Sequence, residues 1–173
     1  DGYRVEGDLS AGAVSKLIFE RGRNIGRWAP GELEALVKAG AMTIPVDQYV
    51  YWYNTLPEKL REQVEKEWGP PPGNIMVYNE RIVIPGALLG YVFIGPQPMR
   101  GWCDGDEEDI IRRLHSGTLP PPHQYIAFYL WLQKGYKADA VIHLGTHGTL
   151  EWLPGRSVGL GEDDWPDALI GDM

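Results

Sequence analysis

The sequence predicts an α/β fold, with a parallel-type sheet, flanking helices and a β-hairpin. The first indication is a periodic apolar segment at residues 123–134, followed by a β-branched run at residues 139–144. A helix that leads into a strand is typical of parallel α/β layers. The second indication is a pair of short apolar runs, at residues 75–78 and 82–84, on either side of a polar turn. This pattern predicts a hairpin that would extend the sheet as an antiparallel edge.

The part of the chain before residue 70 is predicted to be helical. Residues 10–22 place apolar side chains on one face behind a capping serine, and residues 31–39 form a short periodic segment before a glycine. Over residues 57–69 apolar side chains recur every four positions, with proline at the start and glycine at the end. This spacing indicates an amphipathic helix. We therefore expect a helical N-terminal segment over residues 1–70.

Three prolines and a glycine then interrupt the chain, and an α/β segment is predicted over residues 71–173. Besides the hairpin, this segment contains a third strand at residues 91–94 and a helix at residues 107–115. The predicted strand at residues 139–144 leads into a glycine-rich motif. No flexible linker separates the two segments, so we expect them to form one structural unit.

Composition excludes several classes of protein. The chain has 173 residues, of which 43% are hydrophobic and 23% charged, as in an ordinary globular protein. The net charge of −8 argues against a nucleic-acid surface, and no apolar run is long enough to span a bilayer. Cys103 is the single cysteine, which excludes a disulfide framework and fits a reducing, cytoplasmic setting. Because the chain begins at Asp1 rather than at Met, we expect it to be an internal piece of a longer parent chain.

The motif VIHLGTHGTLEWLPGRSVG carries most of the chemistry. His143, His147 and Glu151 follow one another at intervals of four residues. On a continuous helix they would share one face, as in a metal site, but the glycines between them disfavour a helix. We instead expect His143 at the end of a strand, His147 in a loop and Glu151 in a short helical turn. Their convergence then depends on the tertiary fold.

Structural roles remain open for each of these groups. His143 could be a hydrogen-bonded core residue, and Glu151 a first-turn carboxylate favoured by the helix dipole. The Gly-Thr-His-Gly loop could be a tight turn or an anion cradle, although it lacks the dinucleotide and P-loop patterns. His123 has the position of a capping or packing residue. Arg100 and Arg156 could bind carboxylates or be ordinary surface charges.

Several segments, in order along the chain, resemble the large subunit of cobaltochelatase and the related porphyrin-binding subunit of magnesium chelatase. The most specific segment is HLGTHGTLEWLPGRSVGL at residues 143–160. GPQPMRGW, LPPPHQYIAFYLWL, ADAVIH and WPDALIGDM agree as well. Trp152 after the glutamate resembles the cobalt branch. Two features depart from the family, since Arg156 stands where lysine is usual and the sequence Gly-Glu-Asp-Asp at residues 161–164 replaces a Ser-rich stretch.

The resemblance implies a metal chelatase, a ligase that inserts a divalent metal into a tetrapyrrole at the expense of ATP. In the cobalt branch the metal substrate is Co²⁺ and the ring is hydrogenobyrinic acid a,c-diamide, in cobalamin biosynthesis. Mg²⁺ and a porphyrin are the alternative. The implied partners are an AAA+ ATPase subunit, a second smaller subunit and the rest of the parent chain. The partner subunits use the ATP, and the chain alone is expected to be inactive.

The residues of the motif fit this chemistry. We expect Glu151 to accept a proton or deliver the metal, His147 to relay the metal, and His143 to be a co-ligand or an outer partner. These three residues would hold the metal only transiently. The predicted substrate-binding residues are Gly145, Thr146, Gly148, Trp152, Arg100 and Arg156. Two other functions stay open, namely a tetrapyrrole-binding or docking module without catalytic residues and, with less support, a zinc-dependent hydrolase.

Overall fold

The structure is a computed structural model that describes residues 8, 10–25, 29–101, 111, 115, 117–156 and 158–173. It combines helices with short strands, so the predicted α/β class is confirmed. The chain forms two compact units. Unit 1 comprises residues 1–46 and 74–97, and unit 2 comprises residues 47–73 and 98–173. These units interleave along the sequence and do not follow the predicted division at residue 70.

In its described residues, unit 1 contains two helices and five short strands. The predicted helices at residues 10–22 and 31–39 are confirmed as α1 and α2. The elements are α1 (Ala11–Arg21), α2 (Pro30–Lys38), β1 (Met42–Pro45), β2 (Val77–Tyr78), β3 (Arg81–Ile84), β4 (Ala87–Leu89) and β5 (Val92–Ile94). Strands β1, β3 and β2 form one sheet in that order, and β4 pairs with β5. Leu33 and Leu36 of α2 lie in one buried cluster with Met76 and Val83.

The predicted hairpin is confirmed as β2 and β3, with Val77 opposite Ile82 and Tyr78 opposite Arg81. The two residues of its turn, Asn79 and Glu80, have φ angles of 47° and 59°. Positive φ at both central positions is the requirement of a type I′ turn, which matches the twist of antiparallel strands. The predicted third strand is also present, as β5.

The predicted parallel sheet is not found, because all the strand pairings in the described part of the chain are antiparallel. The segment at residues 139–144 has no regular secondary structure. Its Ile142 and Leu144 are 88% and 99% exposed. The described strands all belong to unit 1, so this run has no neighbouring strand in unit 2 with which to form hydrogen bonds. The predicted helix at residues 107–115 lies mainly outside the described residues.

Unit 2 is helical where the structure describes it. Its elements are α3 (Val46–Tyr53, whose first residue belongs to unit 1), α4 (Glu58–Trp68), α5 (His123–Leu130), a π-helix (Trp131–Tyr136), a 3-10 turn (Leu150–Trp152) and α6 (Trp165–Ile170). The predicted amphipathic helix is confirmed as α4, and the predicted helix from residue 123 as α5. The π-helix carries that helix past Gly135, where a Cβ would lie 2.7 Å from the Trp131 ring. The described helices include none long and apolar enough to cross a membrane.

All eight residues of α5 are buried, including its polar first residue, His123. Nε2 of His123 lies 2.9 Å from the Gly69 carbonyl, and Nδ1 lies 2.8 Å from the Tyr49 hydroxyl. A carbonyl can only accept, so Nε2 carries the proton and Nδ1 accepts from Tyr49. Burial lowers the pKa of this imidazole. The packing interpretation of His123 is therefore confirmed, and α5 is a fixed support for the motif.

Candidate functional site

The motif forms an irregular surface loop of unit 2, from His143 to the 3-10 turn at residues 150–152. The predicted helical turn at Glu151 is confirmed, and Thr149 precedes it as the N-terminal flanking residue. His147 lies in the loop, as expected. His143 does not end a strand, because residues 139–144 form none.

His143 is hydrogen-bonded to a buried tyrosine of helix α5. Its Nε2 atom lies 3.0 Å from the hydroxyl of Tyr129, and the two rings meet edge to face with centroids 6.3 Å apart. The Tyr129 side chain is fully buried. A buried phenol requires a hydrogen-bond partner, and here that partner is a histidine on the surface loop. The contact therefore holds one imidazole of the motif against the interior of unit 2.

Thr149 is held in the same way by the neighbouring turn of α5. Its hydroxyl lies 2.8 Å from the hydroxyl of Tyr125, another fully buried tyrosine. The rings of Tyr125 and Tyr129 lie with centroids 5.0 Å apart. Burial, followed by the charge of Tyr129, raises the pKa of Tyr125, so this phenol stays protonated. The two tyrosines thus contact both ends of the segment that contains the Gly-Thr-His-Gly loop.

The structure gives Gly148 a steric reason for being glycine. A Cβ at this position would lie 3.2 Å from Nδ1 of His143, which is tighter than ordinary van der Waals contact. A Cβ at Gly145 would approach nothing closer than the His147 carbonyl oxygen, at 3.9 Å. Of the two glycines expected to shape the loop, only Gly148 is constrained by space. Thr146 is exposed on the same loop.

The predicted convergence of His143, His147 and Glu151 on one metal ion is not seen. Within the described ranges, no group of three His, Cys, Asp or Glu side chains could hold a metal jointly. The spacing of four residues aligns side chains only on a continuous helix, whereas the chain here is irregular and then forms a 3-10 turn. All three residues are exposed, and Nε2 of His143 is engaged by the hydroxyl of Tyr129.

Arg100 and Trp152, two of the expected substrate-binding residues, meet at the Glu151 turn. Nη1 of Arg100 donates a hydrogen bond to the carbonyl of Trp152. Burial lowers the pKa of the Arg100 guanidinium, and the electrostatic interaction with Tyr125 acts against this shift. The indole of Trp152 is 38% exposed and meets the ring of His115 edge to face, with centroids 6.0 Å apart. Two aromatic rings therefore lie together at the residue that follows Glu151.

Arg156 is engaged by acidic residues that the sequence left without a role. Its Nε donates to Asp164 across 2.7 Å, and its backbone N–H donates to the same carboxylate across 3.2 Å. Gly161 donates a third hydrogen bond to it, across 2.8 Å. These backbone donors and the guanidinium hold the pKa of Asp164 below its ordinary value. The nearly buried Asp164 thus closes the loop that follows the 3-10 turn, with Arg156 as its ion-pair partner.

Comparison with known proteins identifies the family of the chain. The sequence model described as CobN/Magnesium Chelatase matches residues 1–173. The chain belongs to this family. Its relatives include subunits of cobaltochelatase and of magnesium chelatase, and a solved cobaltochelatase structure resembles it as well.

The aerobic cobaltochelatase subunit CobN of Pseudomonas aeruginosa is 39% identical over 173 residues, 99% of this chain and 13% of that protein. The chloroplastic magnesium-chelatase subunit ChlH of Oryza sativa subsp. indica is 34% identical over 175 residues, 100% of this chain and 11% of that protein. The catalytic subunit of cobaltochelatase from Mycobacterium tuberculosis matches in structure with a TM-score of 0.67 and 34% identity. That match covers 99% of this chain and 16% of the other. The chain thus spans a small part of these CobN and ChlH relatives.

Three residues of this CobN/magnesium chelatase chain that hold the motif in place were not identified from the sequence alone. Tyr125 and Tyr129 are four residues apart on α5, and a helical pair of tyrosines in an otherwise apolar segment is a detectable signal. Asp164 directly precedes the Trp-Pro start of α6, a position that favours an acidic residue. Their partners could be identified only from the tertiary structure.

Proposed function

We propose that this chain is the part of a chelatase large subunit at which a divalent metal ion is transferred to a tetrapyrrole ring. The observation that carries the proposal is the placement of the motif. His147 and Glu151 are exposed at the surface of unit 2, while His143 and Thr149 beside them are tied to buried tyrosines. A loop that exposes chemically active groups on a rigid support suits a reaction with a large, flat ring.

The chemistry requires that the metal lose water and that the ring nitrogens lose protons. An exposed carboxylate such as Glu151 can accept a proton or bind a hydrated cation, and imidazole binds first-row metals such as Co²⁺. We assign proton acceptance or metal delivery to Glu151 and the metal relay to His147. His143 contributes from its fixed position beside Tyr129. The metal is a substrate in this scheme, so its contacts with the protein are transient.

Trp152 and the half-buried Arg100, which meet at the turn that contains Glu151, supply contacts for the ring. Trp152 offers an aromatic face on which a flat macrocycle can stack. Arg100 lies at the same turn and can attract ring carboxylates. Arg156 is already paired with Asp163 and Asp164. To bind the ring, its guanidinium would have to contact a ring carboxylate in addition to these two residues. Gly145, Thr146 and Gly148 provide backbone close to the ring.

Cobalt is the metal we favour, in the synthesis of cobalamin from hydrogenobyrinic acid a,c-diamide, because Trp152 follows the glutamate as in the cobalt branch. The 34% sequence identity with a magnesium-chelatase subunit supports Mg²⁺ and a porphyrin as the alternative substrates. In either case we propose that the remainder of a longer chain, an AAA+ ATPase and a second small subunit complete the enzyme in the cytoplasm. ATP would be bound by the ATPase subunit and not by this chain.

A His147→Ala variant separates catalysis from simple ring binding. In the complex reconstituted with its ATPase partners, we expect kcat for metal insertion to fall by about tenfold or more. The tetrapyrrole Kd, measured by fluorescence titration, should stay within about twofold of the wild-type value. A weaker Kd with an unchanged kcat at saturating ring would identify a binding module instead. Stoichiometric Zn²⁺ in the purified protein would favour the hydrolase, since zinc enzymes retain their metal.

A further inference from the structure

We propose that Tyr129 and Tyr125 are positioning residues that hold the two ends of the motif loop, residues 143–149. The Tyr129 contact leaves Nδ1 as the nitrogen of His143 that is available to the reaction. The inference rests on the proposed function and extends it to residues outside the motif. Both tyrosines belong to α5, whose eight residues are all buried. Their hydroxyls reach the surface loop at two points, His143 and Thr149.

The two contacts act on opposite ends of one short segment. Residues 144–148 lie between the anchored positions and have no regular secondary structure. An irregular segment of this kind loses its conformational order easily unless side-chain contacts hold it. The hydroxyl contacts of 3.0 Å and 2.8 Å to a rigid, buried helix supply that restraint. The position of His147 in the middle of the segment therefore depends on the two tyrosines.

The Tyr129 contact also decides which edge of the His143 ring faces the loop. Nε2 is occupied by the phenol, so Nδ1 is the ring nitrogen on the opposite side. Nδ1 lies against Gly148, where any Cβ would approach it to 3.2 Å. Glycine at this position keeps a side chain away from Nδ1. Metal-binding histidines commonly use their second nitrogen for an orienting hydrogen bond of this kind.

A Tyr129→Phe variant tests the inference, with Tyr53→Phe as the matched control. The hydroxyl of Tyr53 is also on a buried side chain of unit 2, but it donates to the Arg61 carbonyl, 3.1 Å away on α4. Amide hydrogen exchange is followed by mass spectrometry on peptides that contain residues 143–149. In Tyr129→Phe we expect exchange there to be about tenfold faster, with helix α5 unchanged. Tyr53→Phe should leave the loop peptides at the wild-type rate.

The kinetic arm separates positioning from general stability. In the reconstituted complex, Tyr129→Phe should lower kcat for metal insertion by about tenfold while the KM for the ring stays unchanged. Thr149→Val, which removes the other hydroxyl contact without altering α5, should accelerate exchange in the same peptides. This variant decides the case if Tyr129→Phe does not fold.

Unchanged exchange at residues 143–149 in Tyr129→Phe, or in Thr149→Val if the first variant does not fold, would overturn the inference. Faster exchange with an unchanged kcat would overturn the catalytic part of it. Exchange needs no activity, so it stands apart from the proposed function. A wild-type complex that inserts no metal would count against that function while the exchange result still decides the positioning role.

Discussion

The hydroxyl of Tyr129 lies 3.0 Å from Nε2 of His143 and joins the buried helix α5 to the exposed motif loop. This contact restrains one of the three motif residues to which we assign the chemistry. His143, His147 and Glu151 are all exposed to solvent, and Nε2 of His143 also contacts the hydroxyl of a buried tyrosine on α5. The arrangement differs from a resident metal site, in which all ligands are held in place. It suits a loop in which a fixed imidazole supports two groups that act on a passing substrate.

Gly148→Ala should displace His143. The new Cβ would lie 3.2 Å from Nδ1, so the ring must shift by a few tenths of an ångström and lengthen its contact with Tyr129. We expect kcat for metal insertion to fall by about threefold to tenfold, because small displacements of positioned groups are costly. Gly145→Ala is the matched control, since its Cβ approaches no atom closer than 3.9 Å. Equal losses in the two variants would rule out the steric explanation.

Asp164→Asn should destabilise the loop that follows the 3-10 turn. The nearly buried carboxylate accepts hydrogen bonds from Arg156 and from the Gly161 backbone, and the amide would leave the guanidinium with only its longer, 3.4 Å pair to Asp163. We expect a lower Tm and faster limited proteolysis between residues 155 and 164. Asp163→Asn is the control, because the solvent-exposed pairs of Asp163 with Lys59 and with Arg156 contribute little. The account of this loop would be wrong if Asp163→Asn were the more damaging variant.

Stability should fall when the pH drops below about 6.5, because of His123. Burial lowers the pKa of this imidazole below the 6.5 of an unfolded histidine, although Glu65 and the Gly69 carbonyl act in the opposite direction. The unfolded state then binds more protons in this range, so the stabilisation is complete above pH 6.5 and declines as the pH falls. Asp164 contributes to pH dependence only near and below its ordinary pKa of 3.8.

Urea unfolding at pH 7.5 and pH 5.5 measures this dependence. His123→Gln retains an amide that can donate to the Gly69 carbonyl but does not titrate, so its stability should change less between the two pH values than that of the wild type. An equal change in both proteins would show that other groups cause the acid sensitivity.

The helices and the hairpin were predictable because their signals are local. The apolar spacing in α1, α2, α4 and α5 and the polar turn of the hairpin indicate secondary structure without reference to the rest of the fold. Helix α3 lies within the predicted helical segment but was not identified as a separate helix, because its aromatic sequence VDQYVYWY has strand propensity. Burial of Tyr49 and Tyr53, four residues apart on one helical face, outweighs that preference.

Long-range pairings explain the errors. The run at residues 139–144 has strand composition, but a strand forms only beside another strand, and the described part of unit 2 supplies none. The loop position of His147 and the turn at Glu151 followed from the glycines. The links from His143 to Tyr129 and from Arg156 to Asp164 could not be inferred from spacing. They depend on how α5 and α6 pack against the loop.

The rate of metal insertion by a complex that carries Glu151→Gln tests the central claim most directly. The matched control is Glu162→Gln, the same substitution at another exposed glutamate of the same region. Loss of the proton-accepting carboxylate should lower kcat by about 10²-fold or more, with the control close to the wild type. If Glu151→Gln inserts metal at the same kcat as Glu162→Gln, the motif glutamate has no part in the chemistry and the proposed site is wrong.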